Sequence, residues 1–294
     1  MYLLAPGLRN SHLVALNTDY LYHLGLDTSM DLKAMFGDVQ YVCMGGSSVR
    51  AEKFATKAAE DLGVEIPEGG VTPIGKTERF SLYKVGPVIS VSHGMGMPSM
   101  LILLHEITKL LHYAGCENVK FIRIGTSGGV GVEPGTVVVT SEGLNGKLEP
   151  KFELVQLGET REYPTQLDSE LTREIYEARG DIRAEIGKTM GTDDFYEGQG
   201  RLDGALEPSY SEAEKLAFLQ RAHDAGVLNI EMESSAFAAF CLRAGIPATI
   251  VCAALLNRLE GDQVTSTPEQ LGQFSDGAQQ VVLNYIRGKL QHNQ

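Results

Sequence analysis

Val119-Lys120-Phe121-Ile122-Arg123-Ile124-Gly125-Thr126-Ser127-Gly128-Gly129 is the stretch on which the reading of this chain turns. Its first half is an apolar run, the pattern of a strand buried on both faces of a helix-covered sheet. Arg123 interrupts that run shortly before a Gly-Thr-Ser-Gly-Gly turn. A guanidinium is too costly to bury alone, so Arg123 requires an anion. One candidate is an internal Asp or Glu. The other is a bound phosphate or carboxylate, for which the turn offers hydroxyls, backbone N–H groups and glycines that permit close approach. On this segment alone both readings stand.

Similar units flank it. Residues 39–44 read as an apolar strand, followed by Gly45-Gly46-Ser47-Ser48-Val49-Arg50 and a helical stretch over 51–63. Strand, glycine-serine turn and helix aim backbone N–H groups at an anion, although the dinucleotide pattern G-x-G-x-x-G is absent. Arg50 is the unusual element, because a cation is disfavoured at the positive end of a helix dipole. Residues 80–85 and 88–91 read as a hairpin around Gly86-Pro87, with Arg79 just before it as a solvated charge. Ser92-His93-Gly94-Met95-Gly96-Met97-Pro98-Ser99 then opens a helix over 100–113.

Beyond the central stretch, strands are expected at 135–140, 152–157, 184–189, 228–234 and 246–256, and helices at 167–180, 235–244 and 268–290. Phe195-Tyr196-Glu197-Gly198-Gln199-Gly200-Arg201 has the composition of a loop that stacks on a planar ligand and bonds its edge. In Asn229-Ile230-Glu231-Met232-Glu233-Ser234 an extended chain would put Glu231 and Glu233 on one side and Met232 on the other. Two such carboxylates suit a metal, a hydroxyl-bearing ligand or a helix N-terminus. Alternating strands and helices imply an α/β fold on a mixed sheet, with ligands at strand ends.

Composition narrows the function. The chain has 294 residues, 43% of them hydrophobic, and no compositional break that would divide it into two domains, so residues 1–294 read as one. A net charge of −13 argues against nonspecific nucleic-acid or anionic-membrane binding. No apolar run approaches the roughly 20 residues of a membrane helix, and residues 1–10 lack the pattern of a secretion signal. Cys43, Cys116, Cys241 and Cys252 have no metal-ligand spacing and read as buried free thiols of a cytosolic protein.

The segments F-G-D-V-Q-Y-V-C-M-G-G-S, S-H-G-M-G-M-P-S, I-R-I-G-T-S-G-G, D-F-Y-E-G-Q-G-R-L-D and N-I-E-M-E-S-S together resemble the uridine phosphorylases of the nucleoside phosphorylase family. F-Y-E-G-Q-G-R is the specific part, marking the uracil-reading branch. Leu255-Leu256 stands where bacterial members tend to carry Ile-Val, which is similar to the animal-type branch. The resemblance implies a mixed sheet forming a distorted barrel flanked by helices, and a homodimer whose active site is shared between subunits. It implies that Gly46, Arg50, Arg123 and Thr126 bind phosphate, joined by Arg79 from the partner. It places His23, also from the partner, with Glu231, Met232 and Glu233 on the ribose, and Phe195, Gln199, Arg201, Leu255 and Leu256 on uracil. Arg258 would support the closing loop, with Arg123, Arg201 and Glu233 as the catalytic set. The implied reaction is reversible phosphorolysis of uridine, phosphate being a co-substrate and no cofactor being needed. Phe80 stands where the bacterial branch has an interface-cation glutamate, so no metal carries over.

Overall fold

The computed structural model describes residues 10–75 and 77–292. Residues 1–9, which hold nearly all of the stretch searched for a secretion signal, lie outside the described residues, as do Lys76 and the last two residues. Short strands β1 (Tyr20–Leu21) and β2 (Leu26–Asp27) and helix α1 (Leu32–Phe36) lead into β3 (Tyr41–Gly45) and α2 (Ser48–Leu62). A hairpin, β4 (Leu82–Val85) and β5 (Val88–Ser92), precedes α3 (Met97–Tyr113) and β6 (Lys120–Gly129). Then come β7 (Val137–Leu144), β8 (Lys151–Gln156), β9 (Glu159–Pro164), α4 (Ser169–Glu177) and β10 (Ala184–Gly191). The chain finishes with α5 (Glu212–Asp224), β11 (Val227–Glu231), α6 (Ser234–Ala244), β12 (Ala248–Asn257) and α7 (Pro268–His292).

The main sheet runs β11-β10-β7-β12-β6-β3-β5-β4, and β11 also pairs with β6. That extra pairing closes β6, β12, β7, β10 and β11 into a mixed barrel, as expected, with β3, β5 and β4 as a sheet extension. β6 lies parallel to β3 and β12 and antiparallel to β11. Helices α2, α4 and α7 cover one face, where Phe54, Ile175 and Ile286 pack on Ile122, Val139 and Val251. Helices α3 and α6 cover the other, where Leu103, Leu104 and Phe237 pack on Phe121 and Ile250. Both faces are therefore dry, which explains the uninterrupted apolar runs.

Local chemistry sets the boundaries. The Ser47 side chain accepts the Arg50 N–H at 3.3 Å to start α2, and Gly63 ends it in the left-handed conformation. A capping box between Ser211 and Glu214 starts α5, an element the sequence reading left unassigned. β9 was also unassigned: Glu-Thr-Arg-Glu-Tyr-Pro is polar on both faces, and the strand exists by pairing with β8 across Leu157-Gly158.

One expectation is corrected. Gly125–Gly129 is not a turn but the second half of β6. There β6 turns its pairing to β11 and to the end of β12, with Gly128 opposite Ile230 and Gly129 opposite both Asn229 and Asn257. The glycine is required by crowding: a Cβ on Gly129 would lie 2.8 Å from the Leu256 carbonyl oxygen and 2.7 Å from a Val132 methyl. Gly129→Ala is therefore expected to destabilise by about 1–3 kcal/mol through forced displacement of the barrel seam. Gly146→Ala, with open space around it, should be near neutral. Urea midpoints of the two variants provide the comparison, and equal midpoints would contradict the crowding argument.

Candidate active site

A cavity of about 290 Å³ opens where β3, β6, β11 and β12 end. Its floor at one end is Gly46, Ser47, Arg50, Arg123 and Thr126; one side is Glu231, Met232 and Glu233; the other end is Phe195, Gln199, Arg201, Leu255 and Leu256. Residues far apart in the chain thus converge because their strands share a barrel rim. His23 and Arg79 do not line this cavity. Arg79 is exposed, and His23 is held through Nδ1 by Glu106 at 2.6 Å.

Arg123 is almost fully buried and paired with both carboxylates. Its Nη1 lies 2.9 Å from Glu231 Oε2, and its Nη2 donates to Glu233 Oε2. Nη1 also donates to Cys252 Sγ at 3.3 Å. The internal-carboxylate reading of Arg123 is therefore what the geometry shows. Burial acts to lower its pKa, but Glu233 and Glu231 outweigh burial and raise it. The two glutamates do not converge by strand pleat, as expected from the sequence. β11 stops at Glu231, and Glu233 is the bent N-cap residue of α6. Glu231 accepts the N–H groups of Glu233 and Ser234 at 3.0 and 2.8 Å, while Glu233 accepts that of Gly96 at 2.6 Å.

Arg50 is different. It lines the same end of the cavity, and among the described residues its guanidinium has no carboxylate partner. Burial first, and the Arg123 charge second, lower its pKa. An uncompensated cation at a helix start, sharing the cavity lining with Ser47 and Thr126, has the chemistry that suits an anion. At the far end Arg201 lies over the Phe195 ring at 4.3 Å and donates to the Asp262 carbonyl at 2.6 Å. Arg258, fully buried, donates to the Gln199 carbonyl at 2.8 Å, which fixes the peptide carrying the amide side chain.

Residues 40–287 match the model of the phosphorylase superfamily. The chain belongs to that family. It is 47% identical to uridine phosphorylase 1 of Mus musculus over 288 residues, covering 96% of this chain and 92% of the relative. It is 42% identical to inactive uridine phosphorylase B of Schistosoma mansoni, covering 95% of each. The crystal structure of Schistosoma mansoni uridine phosphorylase in complex with uracil superposes with a TM-score of 0.90 at 45% identity, covering 94% of this chain and 97% of that one.

Within this phosphorylase cavity the sequence reading missed several residues. Gly94, Met95 and Val264 contribute lining, and the carboxylate of Asp262, a residue the sequence reading did not single out, is largely withdrawn from solvent. His93, given no role, is completely buried behind the cavity, with neither ring nitrogen bonded among the described residues. Burial foremost, with the Arg123 charge adding, pushes its pKa down to about 3, so it is neutral. No local pattern distinguishes such a histidine from a core one.

Two carboxylates, Glu231 and Glu233, face the single Arg123 guanidinium, and burial first, with Glu233 adding, raises Glu231 to about 7 against the pull of Arg123. The folded protein thus holds this proton more tightly than the unfolded chain does. The stabilisation is complete at acid pH and is lost as pH rises from the ordinary 4.5 through about 7. Glu231→Gln is neutral throughout, so its melting temperature relative to wild type should rise between about pH 5 and about pH 8. A pH-independent difference would contradict the raised Glu231 pKa.

Proposed function

We propose that the chain catalyses the reversible phosphorolysis of uridine to uracil and ribose 1-phosphate, a pyrimidine-salvage reaction that extends to deoxyuridine or thymidine. The observation that carries this reading is Arg50, a cation without a carboxylate partner, at one end of a cavity whose other end holds Gln199 and Arg201. Inorganic phosphate would be held by Gly46, Arg50, Arg123 and Thr126 as co-substrate, with no further cofactor and no metal. Glu233 and Glu231 would hold the ribose hydroxyls, with Met232 packed on the sugar. Phe195, Leu255 and Leu256 would enclose the base, and Gln199 would read its ring N–H and carbonyl.

Glycosidic cleavage leaves positive charge on the ribose and negative charge on uracil. The bound phosphate stabilises the first and supplies the attacking oxygen, while Arg201 stabilises the second. Water as nucleophile would give Arg50 no charge to meet. A catalytically silent binding protein has one observation behind it, the inactive relative at 42% identity. Against it stands the convergence of Arg123, Gln199, Arg201 and Glu233 on one cavity. Uridine cleavage should require phosphate and yield ribose 1-phosphate. Equal rates without phosphate, with free ribose as product, would mean hydrolysis, and uridine binding without cleavage would mean a silent protein.

We further propose a homodimer in which His23 and Arg79 complete the neighbour's site, since neither reaches the cavity of its own subunit. The Glu106 contact at His23 Nδ1 leaves Nε2 to face a ribose hydroxyl. Four buried free cysteines support a cytosolic setting. Mixing Arg79→Ala with Gln199→Leu should raise activity above that of either variant alone, because one hybrid site receives two intact halves. Gln199→Leu alone should lower uridine kcat/KM by about a hundredfold or more, two base hydrogen bonds being left unmet. Absence of rescue despite subunit exchange would count against the shared site.

A further inference from the structure

Behind the base end of the cavity lies a charged cluster centred on Asp262, which does not itself line the cavity. Its side chain is 8% exposed, and that of Lys215 is 5% exposed. Asp262 Oδ1 accepts from Arg258 Nε at 3.1 Å and is ion-paired with Lys215 Nζ at 2.8 Å and Arg258 Nη2 at 3.0 Å. Its Oδ2 accepts the Leu202 N–H at 3.0 Å, and its main-chain carbonyl accepts from Arg201 Nη1 at 2.6 Å. Arg258 Nη2 donates in turn to the Gln199 carbonyl. One residue therefore fixes the Arg201 guanidinium directly, the peptide that follows it, and the Gln199 peptide through Arg258.

The charge balance matters as much as the geometry. Arg201, Arg258 and Lys215 bring three cations together, against Asp262 and the Asp203 carboxylate 3.6 Å from Arg201. The surplus is positive, and Arg201 Nε is buried without a partner among the described residues. Desolvated like charges repel, so without the Asp262 carboxylate Arg201 and Arg258 would separate. A purely structural ion pair would not need three of its contacts to end on residues 199–202.

We propose that Asp262 is a positioning residue for base recognition: it holds Arg201 and Gln199 where negative charge develops on the departing base, with Lys215 and Arg258 locking its carboxylate. This rests on the proposed phosphorolysis. The probe is leaving-group dependence. 5-Fluorouracil is more acidic than uracil and departs more readily as an anion, so its nucleoside depends less on a correctly placed Arg201.

The experiment measures kcat and KM for uridine, 5-fluorouridine and phosphate in wild type and Asp262→Asn, with the uracil Kd by calorimetry in the presence of phosphate. The uridine kcat should fall by about tenfold to a hundredfold and the 5-fluorouridine kcat several-fold less, while the phosphate KM stays within about twofold. The uracil Kd should weaken by about tenfold or more. Equal loss on both nucleosides, a parallel loss of phosphate affinity or wild-type kinetics would each overturn the proposal. If Asp262→Asn does not fold, Lys215→Met, which spares the Arg258 and Leu202 bonds, should show the same nucleoside split to a smaller extent, and no split would overturn it. If the wild type itself fails to cleave uridine, the phosphorolysis reading fails. The uracil Kd then decides the positioning role alone, an unchanged value overturning it.

Discussion

A single buried guanidinium, Arg123, joins the two halves of this structure. Its strand, β6, is central to the sheet, and its partners Glu231 and Glu233 end β11 and begin α6. Removing these charges from water costs several kcal/mol per ion, so the cluster holds only while Arg123 Nη1 and Nη2 meet the two carboxylates. That condition is met only when β11 lies against β6. The pairing that closes the barrel is thus the one that assembles the carboxylate side of the cavity.

The same seam carries a polar chain through the barrel interior. Asn229 donates to Ser127 at 2.9 Å and accepts from Thr189 at 2.7 Å, and Thr189 meets Thr140 at 2.6 Å. Strands β6, β11, β10 and β7 are linked in turn by side chains that have no apolar substitute. A slip of register in any of them would leave buried hydroxyls or an amide unpaired, so the network specifies alignment as well as adding stability.

The charges at the cavity's two ends follow opposite designs. At the Arg50 end a cation has no carboxylate partner among the described residues, a setting that suits a diffusible anion. At the Arg201 end cations are held together by Asp262, and the residual positive potential faces the planar end of the cavity. In a chain of net charge −13 these are local reversals of the global field. Reversals of that kind confine anion binding to one place.

The sequence by itself determined the strand-helix alternation, because apolar runs and helical spacing are local properties, and the motif resemblance indicated the barrel. It also named the residues of one chain that line the cavity's main walls, since Arg50, Arg123, Gln199, Arg201, Glu231 and Glu233 are odd in their local settings. It could not say whether Arg123 meets a carboxylate or a ligand, as its partners lie more than a hundred residues away. It read residues 125–129 as a turn, because glycines tolerated for close strand contact look like glycines needed for a bend. It also passed over Asp262 and His93: burial of an acidic loop residue or a lone histidine depends on what packs over it. Those decisions belong to tertiary structure, where desolvation and the approach of distant strands set which charges must pair.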